Sequence, residues 1–184
     1  DYQPGHAHAD TFSFELYING RPVIVDTGTS TYVVNNTRFY ERSTAAHNTV
    51  VVCGQNSSQV WAAHRVARRA RVQVFCDEEE RIVAVHDGYK RLGCLHTRKV
   101  EKVGKYIRIT DEVDREGTAY LHFMPKENVV LDGNRLLGSD YCIEFDGARE
   151  IEPFTSMYSP EFNKREERRS FRISFDRRLE TIIQ

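Results

Sequence analysis

The chain has 184 residues, 40% of them hydrophobic and 29% charged, a balance that fits one globular domain rather than a disordered segment. Lys plus Arg total 26 against 27 for Asp plus Glu, so the net charge of -1 draws the protein to no nucleic acid. No apolar run reaches the roughly 18 residues of a membrane span, and the chain opens at Asp1 with neither Met nor a signal-like stretch, which reads as a fragment or processed product.

Short strand-like runs recur from end to end. Residues 12–18 alternate apolar and polar, Asn19-Gly20 supplies a hairpin turn, and Pro22-Val23-Ile24-Val25 continues beyond it. Residues 49–52 form a further run. The Ala- and Arg-rich stretch 60–70 passes into Val72-Gln73-Val74-Phe75 without a cap or stop, so it reads as strand rather than helix. Runs at 81–85, 106–110, 119–123, 141–145 and 171–175 follow, with turn signals at Asp87-Gly88, Glu116-Gly117, Asp132-Gly133-Asn134 and Asp146-Gly147. No segment holds apolar residues at helical spacing over several turns. The fold class is therefore all-β, an antiparallel β-sandwich spanning 1–184. The mixed run at 164–169 reads as a solvated turn or edge strand.

Cys53, Cys76, Cys94 and Cys142 stand 23, 18 and 48 residues apart, with no zinc-ribbon spacing, and read mostly as small buried hydrophobes. Gly5-His6-Ala7-His8-Ala9-Asp10 carries more chemistry. In an extended chain residues 6, 8 and 10 share a face at steps of about 6.6 Å, and imidazole with carboxylate suits zinc and other borderline metals. Asp26 ends an apolar run before Thr27-Gly28, where an Asx turn is the ordinary role. His47 precedes Val50-Val51-Val52, where a hydrogen-bonded core histidine is common. Were His8, Asp26 and His47 to meet on adjacent strand ends, the set would fit zinc and fit calcium or magnesium poorly. In a strand, Arg65, Arg69 and Arg71 share one face. They form either an acidic-ligand surface or a solvated face paired with Asp77, Glu78 and Glu79. His86, His96 and His122 read as ordinary. No dinucleotide loop, P-loop or nucleophile elbow is present.

Taken in order, the segments Pro4-Gly5-His6-Ala7-His8-Ala9-Asp10, Ser13-Phe14-Glu15-Leu16-Tyr17, Val25-Asp26-Thr27-Gly28-Thr29 and residues 42–50 resemble one family. It is the C-terminal β-sandwich domain of heparinase II/III-like polysaccharide lyases, related to alginate lyases. The resemblance implies an α/α toroid preceding the sandwich in a longer parent chain, with the substrate cleft between the two. It implies β-elimination at a uronic acid in heparin, heparan sulfate, alginate or another acidic polysaccharide. It implies His6 as the catalytic histidine, Tyr40 as a cleft tyrosine whose plainer role is packing, and His8, Asp26 and His47 as ligands of an architectural zinc. It further implies export to the periplasm or beyond. Lacking the toroid, the 184 residues are expected to be inactive alone. A non-catalytic glycan-binding module of the same fold, and a zinc hydrolase with an open water position, are the alternative readings.

Overall fold

The computed structural model describes residues 5–184; Pro4, the first residue of the motif above, lies outside them. The fold is an all-β antiparallel sandwich. It opens with a hairpin of β1 (Leu16–Ile18) and β2 (Arg21–Ile24). Asn19 and Gly20 take φ of 51° and 77°, the two left-handed residues a tight hairpin turn requires. Phe12 also turns left-handed, at φ 68°, so the strand expected over 12–18 shortens to three residues.

A six-residue helix, α1 (Asn36–Glu41), follows; the Asn35 side chain caps it by accepting from the Arg38 N–H at 2.9 Å. A 3-10 turn at Thr44–Ala46 leads to β3 (Val50–Val52), buried at all three residues. Two short strands, β4 (Val60–Trp61) and β5 (Arg65–Val66), make a second hairpin. The continuous strand expected over 60–70 is thus interrupted by a turn at 62–64, with Ala62 at φ 48°.

The remaining strands build one antiparallel sheet: β6 (Val72–Glu78), β7 (Arg81–His86), β8 (His96–Val103), β9 (Tyr106–His122), β10 (Val130–Asp132), β11 (Arg135–Leu137), β12 (Cys142–Tyr158) and β13 (Glu166–Ile183). Their spatial order is β10-β11-β12-β13-β9-β8-β7-β6. β8 pairs with the first part of β9, and β3 takes over the same edge at Val50↔Ala119 and Val52↔Gly117. Register breaks in β12 between Asp146 and Glu150 and in β13 between Asp176 and Arg178 bend the long strands at one level. The curved sheet closes on one core that includes Ile24, Val50, Leu121, Phe145, Phe171, Phe175 and Leu179.

Two expected turns prove to be something else. Gly147, at φ 88°, is the bulge residue inside β12. Glu116-Gly117 lies inside β9, where a Cβ on Gly117 would stand 2.5 Å from Cζ of the buried Phe175 ring, so this glycine makes room for a ring. The charged run at 164–169 enters β13, an interior strand of the sheet, and Arg168 within it is buried. All four cysteines are free thiols, yet only Cys94 is buried and Cys53 is exposed, so the expectation of buried hydrophobes holds for one of them.

Candidate functional site

The histidine segment is not a strand, and its alternate residues do not converge. His6 and Asp10 are exposed, whereas His8 turns inward and Ala9 is fully buried. Ala9 anchors the segment: its N–H donates to the Arg42 carbonyl at 2.9 Å, and its carbonyl accepts from Thr44 Oγ1 at 2.8 Å. The carboxylate beside His8 comes instead from Asp26, at the end of the strand run that leaves β2.

His8, Asp26 and His47 do meet. The rings of His8 and His47 lie 5.2 Å apart, and His47 Nδ1 stands 2.6 Å from Asp26 Oδ2. Asp26 Oδ1 accepts from the Gly28 N–H at 2.9 Å, so the residue forms its Asx turn and holds His47 together. Burial pushes the Asp26 carboxyl up, but the His47 ring and the Gly28 N–H outweigh it and hold the carboxyl at about 2. Burial, His47 and the Arg38 guanidinium lower the His8 imidazole to about 3, so His8 is neutral at neutral pH. Its Nε2 lies 3.1 Å from Arg38 Nη1 and must accept, which puts the ring proton on Nδ1. His47 donates Nδ1–H to Asp26, and its buried Nε2 has no hydrogen-bond partner among the described residues.

That orphaned nitrogen is the test of whether the residues suit zinc. A neutral His8, an ionised Asp26 and a buried histidine nitrogen without a partner are the donor chemistry the ion takes, and a carboxylate behind a histidine is a common support for a ligand. The residues fit zinc in type and neighbourhood. In the conformation described, Asp26 and His47 bond each other directly, and among the described residues no three His, Cys, Asp or Glu side chains are spaced to hold an ion.

Sequence reasoning missed three buried arginines that frame this cluster. Arg38 and Arg42, one turn apart on and just beyond α1, are both fully buried, and no carboxylate among the described residues pairs with either. Arg38 donates to the carbonyls of Gly5 at 2.8 Å and Ala63 at 3.2 Å as well as to His8. Arg42 donates to the carbonyls of Ala7, Ala62 and Arg65 at 3.0, 2.8 and 3.1 Å. The pair bolts the histidine segment to the β4–β5 hairpin. Arg168 from β13 donates to the carbonyls of Val25 and Asp26 at 3.0 and 3.2 Å. Nothing in the sequence reading set Arg38 or Arg42 apart, and Arg168 lay in the mixed run 164–169 read as a solvated turn or edge strand.

At the exposed end, His6 Nδ1 lies 2.9 Å from Tyr32 Oη. Tyr32 stacks between His64, at 6.2 Å, and Phe162, at 5.7 Å, with the Arg38 guanidinium 4.8 Å from its ring centre. Thus His6, Tyr32, Arg38, His8, His47 and Asp26 form one chain of contacts. Tyr40 does not join this exposed end. Its hydroxyl is buried beside Ser156, and burial raises its pKa despite the cationic Arg168 and the Ser156 hydroxyl. Tyr32, which the sequence reading passed over, is the phenol bonded to His6.

His86 and His96, read singly as ordinary, in fact form a relay. His86 Nε2 is 2.9 Å from His96 Nδ1, and His96 Nε2 is 2.6 Å from Asp111 Oδ1, which Arg98 also holds at 2.8 Å. The Gly88 N–H donates to His86 Nδ1, so both rings are neutral with one proton on each Nε2. The relay is fully buried and ties β7, β8 and β9 together.

The model of the family described as Heparinase II/III-like, C-terminal matches residues 1–184. A heparin-sulfate lyase of Bacteroides stercoris is 30% identical over 133 residues, covering 67% of this chain and 19% of the lyase. The crystal structure of heparinase III is similar at a TM-score of 0.79 and 24% identity, over 96% of this chain and 29% of that one. Heparan sulfate lyase HepC from Pedobacter heparinus is similar at 0.79 and 20% identity, over 97% and 30%. The chain thus spans less than a third of the length of these relatives. With the match running from first residue to last, the chain belongs to the heparinase II/III-like C-terminal domain family.

Proposed function

We propose that this sandwich is one wall of the active cleft of a polysaccharide lyase, acting in a longer chain with an α/α toroid as the other wall. The observation that carries the reading is the contact chain from exposed His6 through Tyr32 and Arg38 to the His8–His47–Asp26 cluster. An exposed imidazole hydrogen-bonded to a phenol, backed by a rigid buried network, is suited to proton transfer at a substrate that approaches from outside.

In β-elimination a base takes the proton from C5 of the uronic acid. The C5–H electrons form the C4–C5 double bond, the C4–O bond breaks, and the departing oxygen takes a proton from an acid. His6 and Tyr32 are our candidates for this exchange. Tyr40, with its hydroxyl enclosed, serves the packing around Arg168. His8, Asp26 and His47 are our candidates for holding zinc, which when bound would neutralise the Asp26 charge and fix the segment carrying His6. The substrate is an acidic polysaccharide; the names of the relatives favour heparan sulfate over alginate. The same reading puts the longer chain in the periplasm or outside the cell, where such glycans are met.

The test is ultraviolet absorbance of unsaturated uronate on incubation with heparin, heparan sulfate and alginate. The longer chain should give unsaturated product with at least one of them, and the 184 residues alone should give none. Saturated product would instead support a hydrolase, and robust turnover by the sandwich alone would refute the shared cleft. Metal analysis of the purified protein should find zinc, and its loss on His47→Ala would support the ligand assignment.

A further inference from the structure

The arginine-rich segment 64–71 remains outside that machinery, and the structure removes its plainest explanation. Four arginines and no acid occupy residues 65–71 of a chain that is otherwise balanced in charge. Three of the four do not use the pairing with Asp77, Glu78 and Glu79 that a solvated face would offer: among the described residues Arg65, Arg68 and Arg71 make no ion pair, and their guanidinium groups no hydrogen bond, while Arg69 does have an interaction of its own. Elsewhere on the surface Arg21, Arg81, Arg149 and Arg178 each hold a carboxylate, whereas Arg165 and Arg177, far apart in the chain, show no ion pair among the described residues. A groove of about 490 Å³ runs along the segment, lined by Val66, Ala67, Arg68, Arg69, Ala70 and Arg71.

The segment is held in place although only Arg65 and Val66 count as strand. The Ala67 N–H donates to the Gln59 carbonyl at 2.8 Å, the Gln59 N–H to the Arg68 carbonyl at 3.1 Å, and the Ala70 N–H to Ser58 Oγ at 3.0 Å. Buried Arg42 grips the carbonyl of Arg65 itself. Directly before it comes His64, which stacks on Tyr32, the partner of His6. A rigid row of like charges thus begins beside the exposed imidazole and leads away along the hairpin. Neighbouring guanidinium groups repel one another and favour an anion between them, and the forks of Arg65, Arg68 and Arg71, which hold no carboxylate although Asp87 accepts from the Arg71 N–H, match carboxylate and sulfate.

We propose that the groove at residues 65–71 is a binding subsite for the carboxylate and sulfate groups of an acidic glycan, set one or more sugar units away from His6. The direction towards His6 rests on the lyase reading above; the anion site itself does not. The test is direct binding of a labelled heparan sulfate oligosaccharide to this chain, with the wild type, the triple variant Arg65→Gln, Arg68→Gln, Arg71→Gln, and a control variant Arg165→Gln, Arg177→Gln, which removes exposed charge elsewhere. The triple variant should bind at least tenfold more weakly, with a shallower dependence on salt, while its melting temperature and the control's affinity stay at wild-type values. Affinity within twofold of wild type in the triple variant, or an equal loss in the control, overturns the subsite. Turnover by the longer chain separates the two claims. If both hold, the triple variant raises KM with kcat retained; if there is no turnover but binding is lost, only the lyase reading fails.

Discussion

Arg42→Met is the sharpest test of what holds the site in shape. Arg42 is fully buried and donates to four carbonyls, those of Ala7, Trp61, Ala62 and Arg65, from two separate segments. Methionine keeps the packing of the stem and removes every donor. An unsatisfied buried carbonyl costs about 1–3 kcal/mol; Arg65 is exposed and Ala7 and Ala62 are half-buried, so water repairs part of the loss. Removing a guanidinium with no carboxylate partner also relieves a desolvation cost, and burial together with the like charge of Arg38 already depresses the Arg42 pKa. The balance is a loss of about 2–4 kcal/mol, which in a domain of this size lowers Tm by about 4–16 °C. Urea unfolding gives the first number, and hydrogen exchange localises it: the amides of Gln59 and Ala67 in the β4–β5 hairpin should lose protection before the core strands do. A loss under about 0.5 kcal/mol with hairpin exchange unchanged would refute the clamp.

Three further outcomes follow from particular contacts. Burial, His96 and Arg98 lower His86 to about 3 in the folded state, so below the unfolded value near 6.5 the unfolded chain takes up a proton that the native chain refuses. The His86 contribution should therefore be full above about pH 6.5 and fall by up to about 1.4 kcal/mol per pH unit between there and pH 3, with a like slope added by His8; urea titration of wild type against His86→Gln separates the two, and an unchanged slope in the variant would contradict the neutral relay. Gly117→Ala should cost about 1–3 kcal/mol, because the new Cβ meets the buried Phe175 ring at 2.5 Å; combining it with Phe175→Leu should recover part of the loss, and thermal melts of the two variants check this. Asp26→Asn should lower zinc affinity about 10–100-fold, by titration against a chelating dye, since the amide cannot serve the His47 N–H as the carboxylate does.

Much of the fold was legible because β-sheet patterning is local. Asn19-Gly20 specified its hairpin by backbone conformation alone, and the runs read after residue 71 all fall on strands, although 106–110 and 119–123 are one strand, β9, and β8, β10 and β11 were not among them. The errors share a cause. Glycine signals a turn only by default; at 117 it answers to a ring 58 residues away and at 147 to a bulge, and neither neighbour is adjacent in sequence. The burial of Arg38, Arg42 and Arg168 was not legible because the carbonyls that satisfy them come from segments the pattern cannot bring together. His8, Asp26 and His47 were recoverable through the ordered resemblance, while Tyr32 was not, since its only mark is a position in space beside His6 and Arg38.

The central claim is that the exposed imidazole of His6 transfers a proton at the substrate. His6→Ala, introduced into the longer chain that carries this domain, measures it directly through the rate of unsaturated-product formation on heparan sulfate at saturating substrate. His6 is exposed and its described polar contact is Tyr32 Oη, so folding should be unaffected by the change. We expect kcat to fall by about 10²–10⁴ with Tm and glycan affinity retained; turnover within about threefold of wild type would contradict the account.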